Sequence, residues 1–349
     1  METVSRNVWA DVMKGLAMVF VVFGHANFML ASPFLNFHLA IFLFVSGWLS
    51  SYKHTFTQYF LNKVRHIYLP YVGTQLLLLL FHPLLLKINL TVPLEDSVGK
   101  IILNILCCNH EIFCGNLLAP IWFLAAFFFA TLLCYWLVNW LNKKPLWLLL
   151  VSLIICGIGF LNAHLGWLHF AVNRVLMMQF FIILGYCAKK IDFQFNKGYI
   201  AILGLVFATI VRYMGYKVDL RVANSPDFIL WQINTFLGIY SIGFIANWLV
   251  KLKNSTIQYN TIQYNTIQLL SSISYHSLFI LCWHGFVMKF VDLLLVIRFG
   301  YDAQSLIHWG LVSRAFGVTF LYGCVGLFVP LGIIVLWTYS KQKLISARK

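Results

Sequence analysis

The sequence predicts an all-α integral membrane protein that crosses the bilayer about ten times. Of its 349 residues, 61% are apolar and only 10% are charged, whereas an average soluble domain has about 25% charged residues. The apolar residues fall into runs of roughly 20, the length that a helix needs to cross the hydrocarbon core. The basic residues cluster on alternate connecting segments. Together these observations predict one transmembrane domain over residues 1–349.

Ten apolar runs define the predicted spans. They lie near residues 8–30, 34–51, 67–86, 119–141, 147–164, 174–188, 199–215, 228–249, 269–290 and 312–339. The first run is too long for a cleavable signal peptide, and no small-residue cleavage site follows it. We therefore expect this run to remain in the protein as its first transmembrane helix.

The charged residues divide unequally between the two sides of the membrane. The first segment, the loops after every second span and the tail hold 15 of the 25 basic residues and two acids. The opposite loops hold five basic residues and seven acids, Asp292 among them. Because positive residues stay on the cytoplasmic side, both termini are predicted to be cytoplasmic. The net charge of +15 is thus mostly a topology signal, and we expect no nucleic acid partner.

The longest outer loop contains three cysteines. If it faces an oxidising compartment, Cys114 could pair with Cys107 or Cys108. A zinc site that includes His110 is an alternative. A second regular pair of ligands is missing from the sequence, so we expect no metal.

One segment is of low complexity. Residues 256–265 read TIQYN twice, and TIQ returns at 266–268. A period of five residues matches no solenoid repeat. We expect a tolerated duplication in a cytoplasmic loop that carries no chemistry.

Three ionisable residues lie in the first span, where each is costly in a bilayer and is a functional candidate. Asp11 and Lys14 are three residues apart and can pair on one face. Lys14 and His25 are eleven residues apart, which places them on one face about 16 Å apart along the axis. A structural interpretation is an Asp11–Lys14 pair at the helix end and a His25 that only bonds to a neighbouring helix. We favour a functional role for Lys14 and His25 together.

The next candidates follow directly along the chain. His38 begins the second span after a short turn, at a depth close to that of His25. The two histidines could form a proton-handling pair, although an interfacial, hydrated His38 is equally consistent with the sequence. Lys63 and Arg65 lie in the cytoplasmic loop before the third span, where they either set topology or bind an anionic, phosphate-bearing ligand.

Several segments resemble the acyltransferase 3 family. WADVMKGLAMVFVVFGH is similar to its opening signature, in which ten residues separate a basic residue from a histidine, as they separate Lys14 from His25. FHLAIFLFVSGW, NKVRHIYLPY and IWFLAAFFFA resemble the following segments. NRVLMMQFFIILGYCAKK and ISYHSLFILCWH resemble later blocks, with matches at Arg174, Gly185 and His284. The likeness runs from about residue 6 to 290, and it is greatest for the short members related to fucose 4-O-acetylases.

The resemblance implies an enzyme that moves an acyl group, usually acetyl from cytoplasmic acetyl-CoA, onto a hydroxyl of a cell-surface or lipid-linked sugar. It implies a bacterial plasma membrane protein that contacts lipids and a glycan acceptor. The catalytic residues would be His25 as the general base, His38 as its partner or orienting group, and Lys14. Arg174 and His284, like Asp11, would have supporting roles. Acetyl could pass directly or through an acyl-histidine.

The donor's phosphates would remain near Lys63 and Arg65, and its pantetheine arm would enter past Lys14.

A transporter or flippase of sugars or polysaccharide precursors is the alternative function. Ten helices with charges at mid-depth also fit that class. The sequence contains no internal repeat of spans and no pair of helices broken by glycine or proline, which favours the enzyme.

Overall fold

The computed structural model describes residues 7–108, 121–141, 144–166, 170–215, 228–254, 261–300, 306 and 311–346. Every regular element in these ranges is helical. The first half contains α1 (Val8–His25), a 3-10 segment (Met29–Asn36), α2 (His38–Leu49), α3 (Phe56–Lys63), a π-helical turn (Val64–Tyr68), α4 (Leu69–Lys87), α5 (Val98–Leu106) and α6 (Trp122–Trp140). The second half contains α7 (Pro145–Leu165), α8 (Phe170–Lys190), α9 (Gly198–Tyr213), α10 (Phe228–Asn254), α11 (Thr261–Tyr275), α12 (Ser277–Phe299) and α13 (Phe316–Ser346).

The predicted all-α, multi-pass membrane fold is confirmed. Eight helical segments in the described ranges are long and apolar enough to cross a membrane. A ninth crossing results if the 3-10 segment and α2, which meet at an angle of 51°, count as one span. Helix α9 is apolar but shorter. The third crossing begins before its predicted start at residue 67, because α3, the π turn and α4 form one segment over Phe56–Lys87.

The ninth predicted span is divided into two helices in the structure. The sequence placed a single helix near 269–290, but α11 ends at Tyr275 and α12 begins at Ser277 and runs to Phe299. The apolar window continues across His276, so hydropathy alone does not reveal the break. As a consequence, Asp292 lies inside a helix and not in an outer loop.

The chain forms two compact units. The first comprises residues up to Val21, Leu30–His66 and Ala126–Tyr275. In it, α8 packs against α2 and α7, while α10 packs against α9. Helices α2 and α8 touch backbone to backbone, because a Cβ on Gly47 would overlap the Ile182 carbonyl and a Cβ on Gly185 would overlap the Phe44 carbonyl. Small residues commonly permit such close crossings in membranes.

The second unit comprises Val22–Met29, Ile67–Ala125 and His276–Lys349. Within it, α12 packs against α13 and α4 against α5. Aromatic rings position the end of α1 beside α13: the ring centroid of Phe28 lies 5.0 Å from that of Phe316, and Phe23 lies 5.8 Å from Phe320. This packing fixes the segment that carries His25.

Candidate active site

Two histidines from distant parts of the sequence meet in the second unit. His25 is the last residue of α1, and His284 lies in α12. Nδ1 of His25 and Nε2 of His284 are 2.8 Å apart, and the rings are nearly parallel, with an interplanar angle of 5°. His284 is fully buried, whereas His25 is half-buried. The pair therefore has an inner member held by the core and an outer member with partial access.

The hydrogen-bond pattern assigns the protons of this pair. Nδ1 of His284 lies 2.9 Å from the Ile280 carbonyl oxygen, which can only accept, so this nitrogen carries a proton. In a neutral His284, Nε2 is then an acceptor, and Nδ1 of His25 donates to it. A neutral His25 consequently holds its lone pair on Nε2. The chain of bonds from Ile280 to His284 thus selects the tautomer of His25.

This arrangement suits a general base. When Nε2 of His25 takes a proton, Nδ1–H continues to donate to His284, and the acceptor strengthens as His25 becomes positively charged. A base whose second nitrogen is held by an orienting group is the pattern that activates hydroxyl nucleophiles in many enzymes. His284, to which the resemblance assigns a supporting role, is the residue whose Nε2 lies within hydrogen-bond distance of His25, and its supporting role stays a prediction.

His38 belongs to the first unit and begins α2. Its ring is buried, and Nδ1 donates to the Leu35 carbonyl oxygen at 2.8 Å. The same reasoning places the lone pair of a neutral His38 on Nε2. Its role as the partner of His25 remains a prediction, since the partner that the structure shows is His284.

Asp11 and Lys14 are half-buried on α1. The Asp11 carboxylate accepts a hydrogen bond of 3.1 Å from the Ser274 hydroxyl at the end of α11. Asp11 thus links two helices of the first unit, and the supporting role predicted for it stays a prediction. The role predicted for Lys14 in donor binding remains a prediction.

The two basic residues predicted to bind the donor differ in their surroundings. Lys63 is half-buried, and its ammonium nitrogen lies 5.0 Å from the centroid of the Tyr59 ring, a distance at which the ring attracts a cation. Arg65 is exposed in the π-helical turn. One cation is therefore held by packing, and the other is accessible to a ligand from solvent.

Arg174 lies on α8 with its side chain buried. Its neighbour Asn173 accepts a hydrogen bond from Asn162 on α7. Arg174 is therefore near the contact between α7 and α8, and its predicted supporting role stays a prediction.

Helix α12 contains a buried ion pair that the sequence did not predict. Nζ of Lys289 lies 3.0 Å from Oδ2 of Asp292, and the two side chains are 2% and 0% exposed. The other carboxylate oxygen accepts from the Tyr322 hydroxyl and from the Val312 backbone N–H at 3.0 Å. The predicted assignment of Asp292 to an outer loop is wrong. The signal that could have found the pair is the i, i+3 spacing of opposite charges next to an apolar run.

The cysteines of the outer loop are only partly described. Cys107 is exposed and Cys108 is buried, and burial raises the pKa of the Cys108 thiol to about 11, so it stays protonated at neutral pH. His110 and Cys114 lie outside the described residues. Within the described part of the chain, no three His, Cys, Asp or Glu residues are grouped so that they could hold a metal ion.

The fold and the imidazole pair define a multi-pass membrane protein with a candidate general base. The chain belongs to the acyltransferase family, because it matches the acyltransferase domain over residues 7–339. No curated protein and no solved structure was found to match it. Family membership confirms the resemblance in the sequence and establishes acyl transfer as the general class of activity.

Proposed function

We propose that the protein transfers acetyl from cytoplasmic acetyl-CoA to a hydroxyl of a cell-surface or lipid-linked sugar. Family membership supports acyl transfer, and the observation that carries the mechanism is the His25–His284 hydrogen bond. A sugar hydroxyl is a weak nucleophile that needs a base during attack. A histidine with its lone pair fixed on Nε2 provides one.

The proposed reaction has two proton transfers. Nε2 of His25 takes the hydroxyl proton as the sugar oxygen attacks the thioester carbonyl carbon. The carbon–sulfur bond then breaks, and the imidazolium of His25 returns the proton to the departing thiolate. The products are an acetyl ester and free CoA, so atoms and charge balance. His284 acts as a positioning residue, since it keeps Nδ1 of His25 protonated in every step.

The donor is recognised by charge at the cytoplasmic end. Its phosphates suit Lys63 and Arg65, because charge-assisted hydrogen bonds are the strong ones. Arg65 is exposed, whereas Lys63 is held against Tyr59, so Arg65 makes the first contact. Lys14 lies further along the proposed route of the pantetheine arm.

The proposed acceptor is a polysaccharide or a lipid-linked glycan at the bacterial plasma membrane. The asymmetric distribution of basic residues supports a cytoplasmic donor side, because positive loops face the cytoplasm. The resemblance to fucose 4-O-acetylases, which rests on sequence motifs, supports a sugar as the acceptor.

The test uses the full chain in sealed proteoliposomes with labelled acetyl-CoA outside and a panel of glycans. Appearance of label in a glycan as an alkali-labile ester supports the proposal. Movement of an unmodified sugar across the bilayer, without any label transfer, would assign the protein to transport instead. Transfer to a non-sugar acceptor would retain the acyltransferase and reject the acceptor class.

A further inference from the structure

A polar cavity of about 380 Å³ lies in the first unit beside the start of α1. One wall is Val8, and most of the remainder is a single face of α11. The polar and aromatic residues of that face are Tyr264, Gln268, Ser271, Ser272 and Tyr275. Their offsets of four, seven, eight and eleven residues from Tyr264 place them on one side of a helix. The cavity therefore has a built wall with a regular spacing.

The repeated sequence supplies part of this wall. The copy of TIQYN at 261–265 provides Tyr264, and the TIQ that follows provides Ile267 and Gln268. The sequence predicts a loop for this repeat, but its second copy is helical in α11. The first copy, residues 256–260, lies outside the described residues.

Two contacts between α11 and α1 hold this wall against α1. A Cβ on Gly15 would overlap the Leu270 carbonyl, so the two backbones touch. The Ser274 hydroxyl donates to Asp11 at 3.1 Å. These contacts flank Lys14 in the sequence of α1. The cavity is thus held against the helix segment that contains the predicted donor lysine.

The chemistry of the lining selects a neutral ligand. Hydroxyl groups, one carboxamide and two aromatic rings line the cavity, and none of its described lining residues carries a charge. A phosphate would require cations or several backbone N–H groups, so the wall does not suit the nucleotide end of the donor. The volume of the cavity is on the order of that of a dozen water molecules in the liquid. A thin chain with amide and hydroxyl groups fits both the size and the polarity.

We propose that this cavity binds the pantetheine arm of the acyl donor. The inference rests on the proposed use of a CoA thioester, and it adds a subsite to that function. Gln268 and the two serines bond to the amides of the arm, and Tyr264 and Tyr275 pack along it. The repeat thereby contributes to donor binding.

The test measures protection of an introduced thiol. Ser272→Cys and Ser271→Cys place reporters on the wall, and Gln194→Cys is a matched control at an exposed position outside it. The full-length protein in nanodiscs is alkylated with a maleimide, and peptide mass spectrometry separates each reporter from the eight native cysteines. The probe is S-methylpantetheine, which has no free thiol and no acyl group to transfer.

We expect S-methylpantetheine to slow alkylation of both wall reporters about fivefold or more and to leave Gln194→Cys unchanged. Equal rates with and without the probe at both wall reporters would overturn the subsite. Protection by a neutral glycoside in place of the probe would overturn it as well, by assigning the cavity to a sugar.

An activity measurement separates this inference from the proposed function. Gln268→Leu should raise KM for acetyl-CoA up to about tenfold, which is the change in affinity expected from the loss of one hydrogen bond. The kcat should stay within about twofold of the wild-type value. Label transfer by the wild type together with an unchanged KM rejects the subsite alone. Protection by the probe without any label transfer from acetyl-CoA rejects the proposed function and retains the subsite.

Discussion

Helix α12 contributes to two polar pairs, and they differ in almost every respect. His284 contacts His25 of α1, and Asp292, eight residues further along α12, contacts Lys289. His284 joins a residue 259 positions away in the sequence, whereas Asp292 joins Lys289 on the same helix. The histidine pair has a half-buried member and is neutral in the assigned tautomers. The ion pair is charged and both of its side chains are buried. The Tyr322 hydroxyl and the Val312 backbone N–H donate to Oδ1 of Asp292.

In the proposed mechanism, this difference separates a pair that takes part in the reaction from one that stabilises the fold. A buried charge is tolerated only when an oppositely charged partner and hydrogen bonds compensate it. A buried ion pair that is compensated in this way has no need of a substrate as a further partner. A neutral imidazole that donates a hydrogen bond from one nitrogen to a buried partner can take a proton on its other nitrogen. Burial of a polar group alone therefore does not identify a catalytic residue. The proposed base, His25, differs from the ion pair in having a buried partner and partial access of its own.

The largest effect is expected at His25. His25→Gln should lower label transfer about 10²–10⁴-fold, because an amide keeps hydrogen bonding but cannot take the proton. The protein should still insert at near-normal abundance. The measurement is the initial rate of transfer from labelled acetyl-CoA, normalised to folded protein in the membrane.

A second buried histidine of the same unit provides the matched control. Nε2 of His82 donates to the Val92 carbonyl at 2.9 Å, and a glutamine amide can make the same bond. His82→Gln should therefore retain transfer within a few-fold of the wild type. Wild-type rates from a well-inserted His25→Gln protein would remove the distinction between a reactive and a structural pair.

The next effect is on stability and concerns Asp292. Asp292→Asn leaves the Lys289 charge uncompensated in the interior and should lower the free energy of unfolding by about 3–5 kcal/mol. Denaturant unfolding in mixed micelles measures this loss. Replacing both residues by apolar ones, Lys289→Met with Asp292→Leu, should recover most of it. A double variant as unstable as the single one would show that the pair does more than balance charge.

A smaller effect is expected at His284. His284→Leu removes the acceptor for Nδ1 of His25, and leaving a buried donor unsatisfied costs about 1–3 kcal/mol. We expect kcat to fall about 10–100-fold with little change in KM for acetyl-CoA. His284→Gln, which can both accept from His25 and donate to Ile280, should recover part of kcat. A structural role alone predicts loss of folded protein in place of this split between kcat and KM.

The smallest effect is expected at the proposed donor-phosphate site, where Arg65 is exposed and Lys63 is half-buried. The double variant Lys63→Ala, Arg65→Ala should raise KM for acetyl-CoA about tenfold or more and leave kcat near that of the wild type, since the two side chains are proposed to bind the donor's phosphates and not to take part in the chemical step. Lys53→Ala is the control, because Lys53 is an exposed basic residue of the same predicted loop. Equal donor dependence in the double variant and the control would reject the phosphate site.

The sequence predicted the class of fold because lipid imposes a strong constraint, namely long apolar helices with few charges. It also selected His25 for the same reason, since an imidazole in an apolar run is conspicuous. It did not predict the partner, because nothing local in the sequence reports a contact across 259 residues. The depth of His284, toward the outer end of its predicted span, was a usable signal.

The two other misses have local causes. Hydropathy windows average over the break at His276, so the predicted ninth span ended before Asp292 and left the carboxylate in a loop. The TIQYN repeat is mostly polar, and a polar segment outside an apolar run predicts a loop. The structure shows its second copy as a helix beside α1, where a cavity accommodates the polar face.

The placement of Lys289 and Asp292 on one helix also bears on the biogenesis of the protein. Each charge at the centre of a helix costs about 2.5–3.5 kcal/mol on insertion scales, yet here the counter-ion lies three residues away on the same segment. Helix α12 therefore enters the bilayer with its own neutralising partner before the ribosome has delivered Tyr322, thirty residues later. The tyrosine then joins a pair that already exists, so α13 completes the network after insertion and is not needed to start it.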